Sequence, residues 1–241
     1  MFPIFKKEIE RFLSSLTGYL VIVVFLALNG LFVWILPDNN ILDSGYSSMD
    51  PLFYVGPWVL LFLIPAVTMR TFSEEKKTRT LEWLFTRPVS DMSIILGKYF
   101  ACLALMLFSI LPTLIYFLTV CWLGSPVYNI DTASVSGSYV GMILLGAAFT
   151  SIGIFTSSLT ENQIVSFILS VCICFLFYSL FEIFSGLLAG TGYDYFISNL
   201  GMAAHYASLS RGVIDSRDLL YFISVIFIFL SATRMKLRIK N

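Results

Sequence analysis

Between Asp131 and Glu161 the chain reads TASVSGSYVGMILLGAAFTSIGIFTSSLT, residues 132–160, which is 29 positions without a charged side chain. A helix rises about 1.5 Å per residue, so about 20 apolar residues cross ~30 Å of hydrocarbon. Working outward from charge to charge, five more runs stand beside it: Phe12–Pro37 (26 residues), Pro51–Met69 (19), Tyr99–Ile130 (32), Asn162–Phe181 (20) and Leu219–Thr233 (15). The shortest, Leu219–Thr233, spans only with its flanks Asp218 and Arg234 at the interfaces, helped by snorkelling and bilayer thinning. The composition agrees: 58% of the 241 residues are hydrophobic and 12% charged, where soluble domains carry roughly 25% charged residues. Mean hydropathy is +0.86. Too few charges are present to cover a soluble surface, and outer-membrane barrels show ~10-residue alternating segments rather than long unbroken runs.

The expected fold is therefore an all-α integral membrane protein in one domain over residues 1–241, with spans near 15–37, 52–71, 92–122, 138–159, 163–188 and 218–235. Lys6, Lys7 and Arg11 ahead of the first run give it the look of a signal peptide. It is too long for a 7–15-residue signal core, and no small-x-small cleavage site follows. Phe2, Phe5, Ile9, Phe12 and Leu13 share one helical face, so residues 2–13 read as an interfacial amphipathic helix. Residues 190–217 read as an outer-side segment of short interfacial or re-entrant helices. A seventh span over Tyr195–Ser210, broken by Asn199, His205 and several serines, is the alternative.

The fifteen basic and fifteen acidic residues cancel, so net charge points to no nucleic-acid or acidic partner. Their placement is more informative. With six spans, thirteen of the fifteen basic residues fall on one side, and only Arg211 and Arg217 fall on the other. By the positive-inside rule both termini are then cytoplasmic.

Catalytic groups are scarce. Cys102, Cys121, Cys172 and Cys174 all lie inside spans, where free cysteine behaves as a small hydrophobe, and no metal spacing appears. The single histidine, His205, lies in the outer segment without a G-x-S-x-G elbow around any serine. Gly97-Lys98 resembles the end of a phosphate-binding loop, but Met92 and Tyr99 stand where Gly and Ser or Thr are required. Glu182, about 20 residues into span five, is a candidate intramembrane functional acid, with a headgroup-level glutamate as the alternative. No internal repeat of the secondary-transporter kind is visible.

The longest charged stretch, Thr71–Lys98, joins spans two and three and is expected on the cytosolic side as a coupling segment over 73–90. Ser73 is expected to cap a helix with Glu74 and Glu75 in its first turn. Leu81, Leu84 and Phe85 line one face, with Trp83 beside it. Pro88 turns the chain at Arg87, and Ser90 offers a fresh cap for span three. Three acids (Glu74, Glu75, Glu82) interleave with Lys76, Lys77, Arg79 and Arg87. That mixture argues against simple docking on anionic lipid, which favours a basic face.

The stretch Glu74–Ser90, EEKKTRTLEWLFTRPVS, followed by Leu96-Gly97-Lys98, resembles the signature of ABC-2-type exporter permeases. Arg79 stands where that family commonly has Gly. Ser158–Gln163 is similar to the family's short cytosolic turn, and Ser210–Asp215 to its outer-helix segment. More narrowly, the opening Phe2–Glu10 and the segment His205–Asp218 resemble the permease subunits associated with gliding motility. The resemblance implies a non-catalytic permease that binds no cofactor of its own, with ATP and Mg on a separate cytosolic ABC ATPase. It implies a second permease protomer, the same or different, and admits an accessory membrane protein beside the surrounding lipid. It also implies that Glu74–Phe85 is a coupling helix seated in the ATPase, with Glu74, Glu75, Arg79, Leu81, Glu82, Trp83, Leu84, Phe85 and Pro88 as contact residues. Helix-in-groove docking suits an apolar stripe with a charged rim. The alternatives to an ATP-driven exporter are an ion-coupled transporter or channel and a non-transporting scaffold. No substrate is legible.

Overall fold

The computed structural model describes residues 1–241 except 37–39, 43–44, 46, 82–89, 189, 191 and 239–241, and the described residues are helical with no strand. In chain order the helices are α1 (Phe2–Ser14), α2 (Leu16–Trp34), α3 (Asp50–Thr68), α4 (Arg70–Lys77) and α5 (Asp91–Ile110). After a 3-10 turn at Leu111–Thr113 come α6 (Leu114–Leu123), α7 (Thr132–Leu159) and α8 (Gln163–Phe175). A π-type turn at Leu176–Leu180 leads to α9 (Phe181–Leu187), and then follow α10 (Asp194–Ser198), α11 (Met202–Ser210) and α12 (Ser216–Arg238).

The bundle is organised by α7. Asp131 caps it, its carboxylate accepting from the backbone N–H groups of Ala133 at 3.0 Å and Ser134 at 3.2 Å. Its apolar window is 78% buried, against 28% for the last helix, so α7 is the centre and α12 the periphery. A helix this deep needs small residues for close approach. At Gly153 an added Cβ would run into the Thr68 side chain of α3, so Thr68 packs directly on the α7 backbone here. One core cluster runs through the bundle around Phe25, Leu60, Phe149 and Phe222. A second gathers Phe72, Ile94, Ile95, Tyr99 and Leu237 at the charged end.

Among the described residues five helical segments are long and apolar enough to cross a membrane: Asp50–Lys77, Asp91–Leu123, Thr132–Leu159, Gln163–Leu187 and Ser216–Arg238. A sixth is counted when α1 and α2 are taken as one span bent by 67°. The sequence makes the last run the shortest, yet it lies in a 23-residue helix. The first run carries the break instead, because the chain turns at Ser15, extended at φ −101° and ψ 147°. Residues 190–217 hold two short helices, α10 of 5 residues and α11 of 9. The Tyr206 hydroxyl of α11 donates to the Phe53 carbonyl at 2.8 Å, and burial pushes its phenol well above the ordinary range, so it stays a donor. His205 Nδ1 faces the Asp218 carboxylate at 2.6 Å and Nε2 faces the Asn199 carbonyl at 2.9 Å. A carbonyl only accepts, so Nε2 carries a proton. The pair ties α11 to the start of α12.

Candidate functional site

The charged end of the bundle is where the sequence expectations converge. Two of them are corrected there. Ser73 caps nothing: the helix of span two continues past Met69 into α4, and the Ser73 hydroxyl back-bonds to the Met69 carbonyl within it. Glu74 and Glu75 therefore lie toward the end of α4 rather than in a first turn. The helix stops at Thr78 because Arg79 takes φ +56°, the left-handed conformation that glycine adopts most easily. Ser90 does occupy the N-cap position of α5, but its hydroxyl bonds the Ser93 hydroxyl at 2.8 Å and not a backbone amide.

The centre of the site is a lysine that the sequence offers only as the last letter of Leu96-Gly97-Lys98. The Lys98 side chain is fully buried. Its Nζ donates to Glu8 Oε1 at 3.0 Å, Glu75 Oε1 at 2.8 Å and the Thr71 carbonyl at 2.8 Å. It also sits 5.1 Å from the centroid of the Phe72 ring, a cation–π distance. Three donors are thus spent on three acceptors, from α1 and α4. A buried ammonium is tolerated only when paired and hydrogen-bonded in this way. Gly97 makes the approach possible: a Cβ there would lie 3.0 Å from Ile4, so α1 lies directly on α5.

Glu8 is the only buried residue of α1. The apolar face expected from Phe2, Phe5, Ile9, Phe12 and Leu13 packs only in part: Phe2 and Leu13 are exposed, while Phe12 packs on the core. The packed face holds Ile4, Glu8 and Phe12, spaced four apart. That acid within an i, i+4, i+8 apolar stripe was the available sequence signal. Arg11 extends the network, at 2.6 Å from Glu74 and 3.8 Å from the second oxygen of Glu8. Among these groups the carboxylates of Glu8, Glu74 and Glu75 outnumber the cations of Lys98 and Arg11. Glu75 Oε2 is buried without a hydrogen bond.

A second set of contacts fixes α4 to α7 and to the turn after it. The Ser157 hydroxyl accepts from the backbone N–H groups of Phe72 at 3.0 Å and Ser73 at 3.1 Å and donates to the Met69 carbonyl at 3.0 Å. Inserting a hydroxyl into a broken ladder is a recognised cause of a helix bend. Lys76 Nζ donates to the Ser158 carbonyl. The turn closes with Asn162 capping α8 through Ile164 N–H at 2.9 Å. Arg238 reaches Asp91 at 3.4 Å, adding the end of α12 to the start of α5.

Of the candidate contact residues, Glu74, Glu75, Arg79 and Leu81 are placed here. Glu75 is buried in the network, Glu74 is half-buried and Arg79 is exposed. Leu81 packs against the second core cluster of this chain. Glu82, Trp83, Leu84, Phe85 and Pro88 lie outside the described residues. Glu182 is exposed on α9, just past the π-type turn. Among the described residues no group of three or more His, Cys, Asp or Glu is arranged to hold a metal ion.

A model of the family described as ABC-2 family transporter protein matches residues 2–233. The chain belongs to the ABC-2 transporter family. No curated protein matches it in sequence. ABC-2 permeases are multi-pass membrane subunits of ABC exporters, typically non-catalytic, and the ATPase activity lies in a separate partner subunit. In this ABC-2 permease the matched region takes in both the helical bundle and the network around Lys98.

Proposed function

We propose that this ABC-2 permease forms the membrane path of an ATP-driven exporter of the bacterial inner membrane, in the complex associated with gliding motility. Both termini and the segment 73–90 face the cytoplasm. A cytosolic ATPase holds ATP and Mg and seats the segment 73–90, which carries Leu84 and Phe85, and a second permease protomer completes the path. Closure of the ATPase pushes this segment, and the push passes into the spans.

The Lys98 network is the observation that carries this reading. An ammonium shared between α1 and α4 from within α5 obliges the interfacial helix, span two and span three to move together. Ser157 and Lys76 add span four through α7. A force applied beyond Lys77 is therefore delivered to four elements at once, which suits a transmission point. Leu81 packs on the permease itself, so the docking role is assigned to Leu84 and Phe85. Glu74 and Arg79 set register at the rim.

Replacing Leu84 and Phe85 together by Asp is expected to abolish copurification of the ATPase while membrane insertion stays intact. Copurification at the wild-type yield would overturn the assignment of this segment. Export driven by an ion gradient without ATP, in vesicles holding this chain alone, would favour the transporter or channel alternative.

A further inference from the structure

Three cavities on the outside of the bundle join end to end. The largest, about 550 Å³, runs between α2 and α3 with Phe167 of α8 at its side. Its walls are apolar, from Leu20, Val24 and Leu28 on one helix and Trp58 and Phe62 on the other. A second, about 150 Å³, shares Leu20, Val21 and Ala66 with it and ends at Phe12 and Arg70. A third, about 60 Å³, shares Phe12 and Arg70 and is lined also by Glu8, Arg11, Ser15 and Thr71, the Glu8 carboxylate being taken up by Lys98 and Arg11. Together they make one groove with a long apolar body and a polar mouth at the charged end of the molecule.

Arg70 stands at that mouth. It lies at the break between α3 and α4, is exposed, and has no hydrogen-bond or ion-pair partner among the described residues. Arg11, on the other side of the mouth, is half-exposed beside Glu74. A guanidinium left open next to an apolar channel matches an amphiphile with an anionic head and a hydrocarbon tail. Guanidinium forks bind phosphate with two parallel hydrogen bonds, and basic pockets at the cytoplasmic end of membrane helices take phospholipid headgroups.

We infer that the groove holds a resident anionic phospholipid of the leaflet at the charged end, its phosphate on Arg70 and an acyl chain between α2 and α3. The lipid fills the angle that the bent α1–α2 pair leaves against span two, along the cavities described above. It therefore braces the interfacial helix against the helix that carries the Lys98 network. This inference rests on the cytoplasmic placement of the charged end proposed above. It does not depend on the ATPase, because lipid retention is read on the permease alone.

The test reconstitutes the full chain in nanodiscs of phosphatidylcholine doped with phosphatidylglycerol, transfers it to detergent and weighs it by native mass spectrometry. The wild-type chain is expected to keep one phosphatidylglycerol per protomer in preference to phosphatidylcholine. Arg70→Gln should retain it about fivefold less well, the effect of one arginine at an anionic lipid surface, and Arg70→Lys should restore most of the retention. Val24→Trp, which fills the apolar body and leaves Arg70 in place, should lose the lipid as well. Equal retention of the two phospholipids, or wild-type retention by Arg70→Gln, would overturn the inference. So would a Val24→Trp chain that keeps its lipid but no longer dimerises, because a second copy would then occupy the groove.

Discussion

Lys98 shows how one residue takes its role from what surrounds it. In the sequence it is a basic residue at the start of a span, and its counting value is orientation. In the fold it is sealed from water with two carboxylates, a carbonyl and an aromatic face around it. Removing one partner of a buried ion pair leaves an uncompensated charge and costs about 3–5 kcal/mol. Lys98→Met strands two carboxylates at once, whereas Glu8→Gln leaves Lys98 with Glu75 and keeps a hydrogen-bonding oxygen at position 8. Thermal unfolding of the purified permease should therefore shift downward much further for Lys98→Met than for Glu8→Gln. Equal shifts would mean that the network is a loose surface cluster. Burial of this kind was not legible beforehand, because nothing in the letters Leu-Gly-Lys says that α1 will fold back onto Gly97.

At the scale of elements, the break at Met69 is a designed discontinuity in an otherwise continuous helix. Asp50–Lys77 spans 28 residues. A hydroxyl from α7 serves the backbone amides of Phe72 and Ser73 at the break. Ser157→Ala removes the acceptor without adding a side-chain atom. Leaving a buried amide unpaired costs about 1–3 kcal/mol, so the amide hydrogens of Phe72 and Ser73 should exchange faster in this variant by hydrogen-exchange mass spectrometry. Protection unchanged from the wild type would show that Ser157 is not what holds the break. The sequence reading places a helix start at Ser73 because serine before two glutamates is the usual pattern of an N-cap. What overrides it is the length of span two: the helix has no reason to stop at the membrane boundary when α7 and α5 continue beside it.

For the whole molecule, the charge-free runs fall in helices long and apolar enough to cross a membrane, and the described part of 190–217 holds two short helices ahead of α12. Six spans with thirteen basic residues at one end predict a definite sidedness. With Cys172 replaced by Ser, a cysteine introduced at exposed Val213 should react with an impermeant thiol reagent added to intact cells. One at exposed Thr80 should react only after the membrane is opened. The reverse pattern would invert the topology. What the sequence leaves out is the way the helices pair, since that depends on contacts between residues far apart in the chain, of which Tyr206 to Phe53 is one. The same separation has a bearing on biogenesis. Glu8 and Lys98 are 90 positions apart, and at ~5–20 residues per second the ribosome needs about 5–20 s to make the second after the first. Until then Glu8 has only Arg11, three positions on in the same helix, as a counter-ion. Two spans must already be inserted before its partner arrives, so closure of the network marks the moment at which the first half of the chain has been threaded correctly.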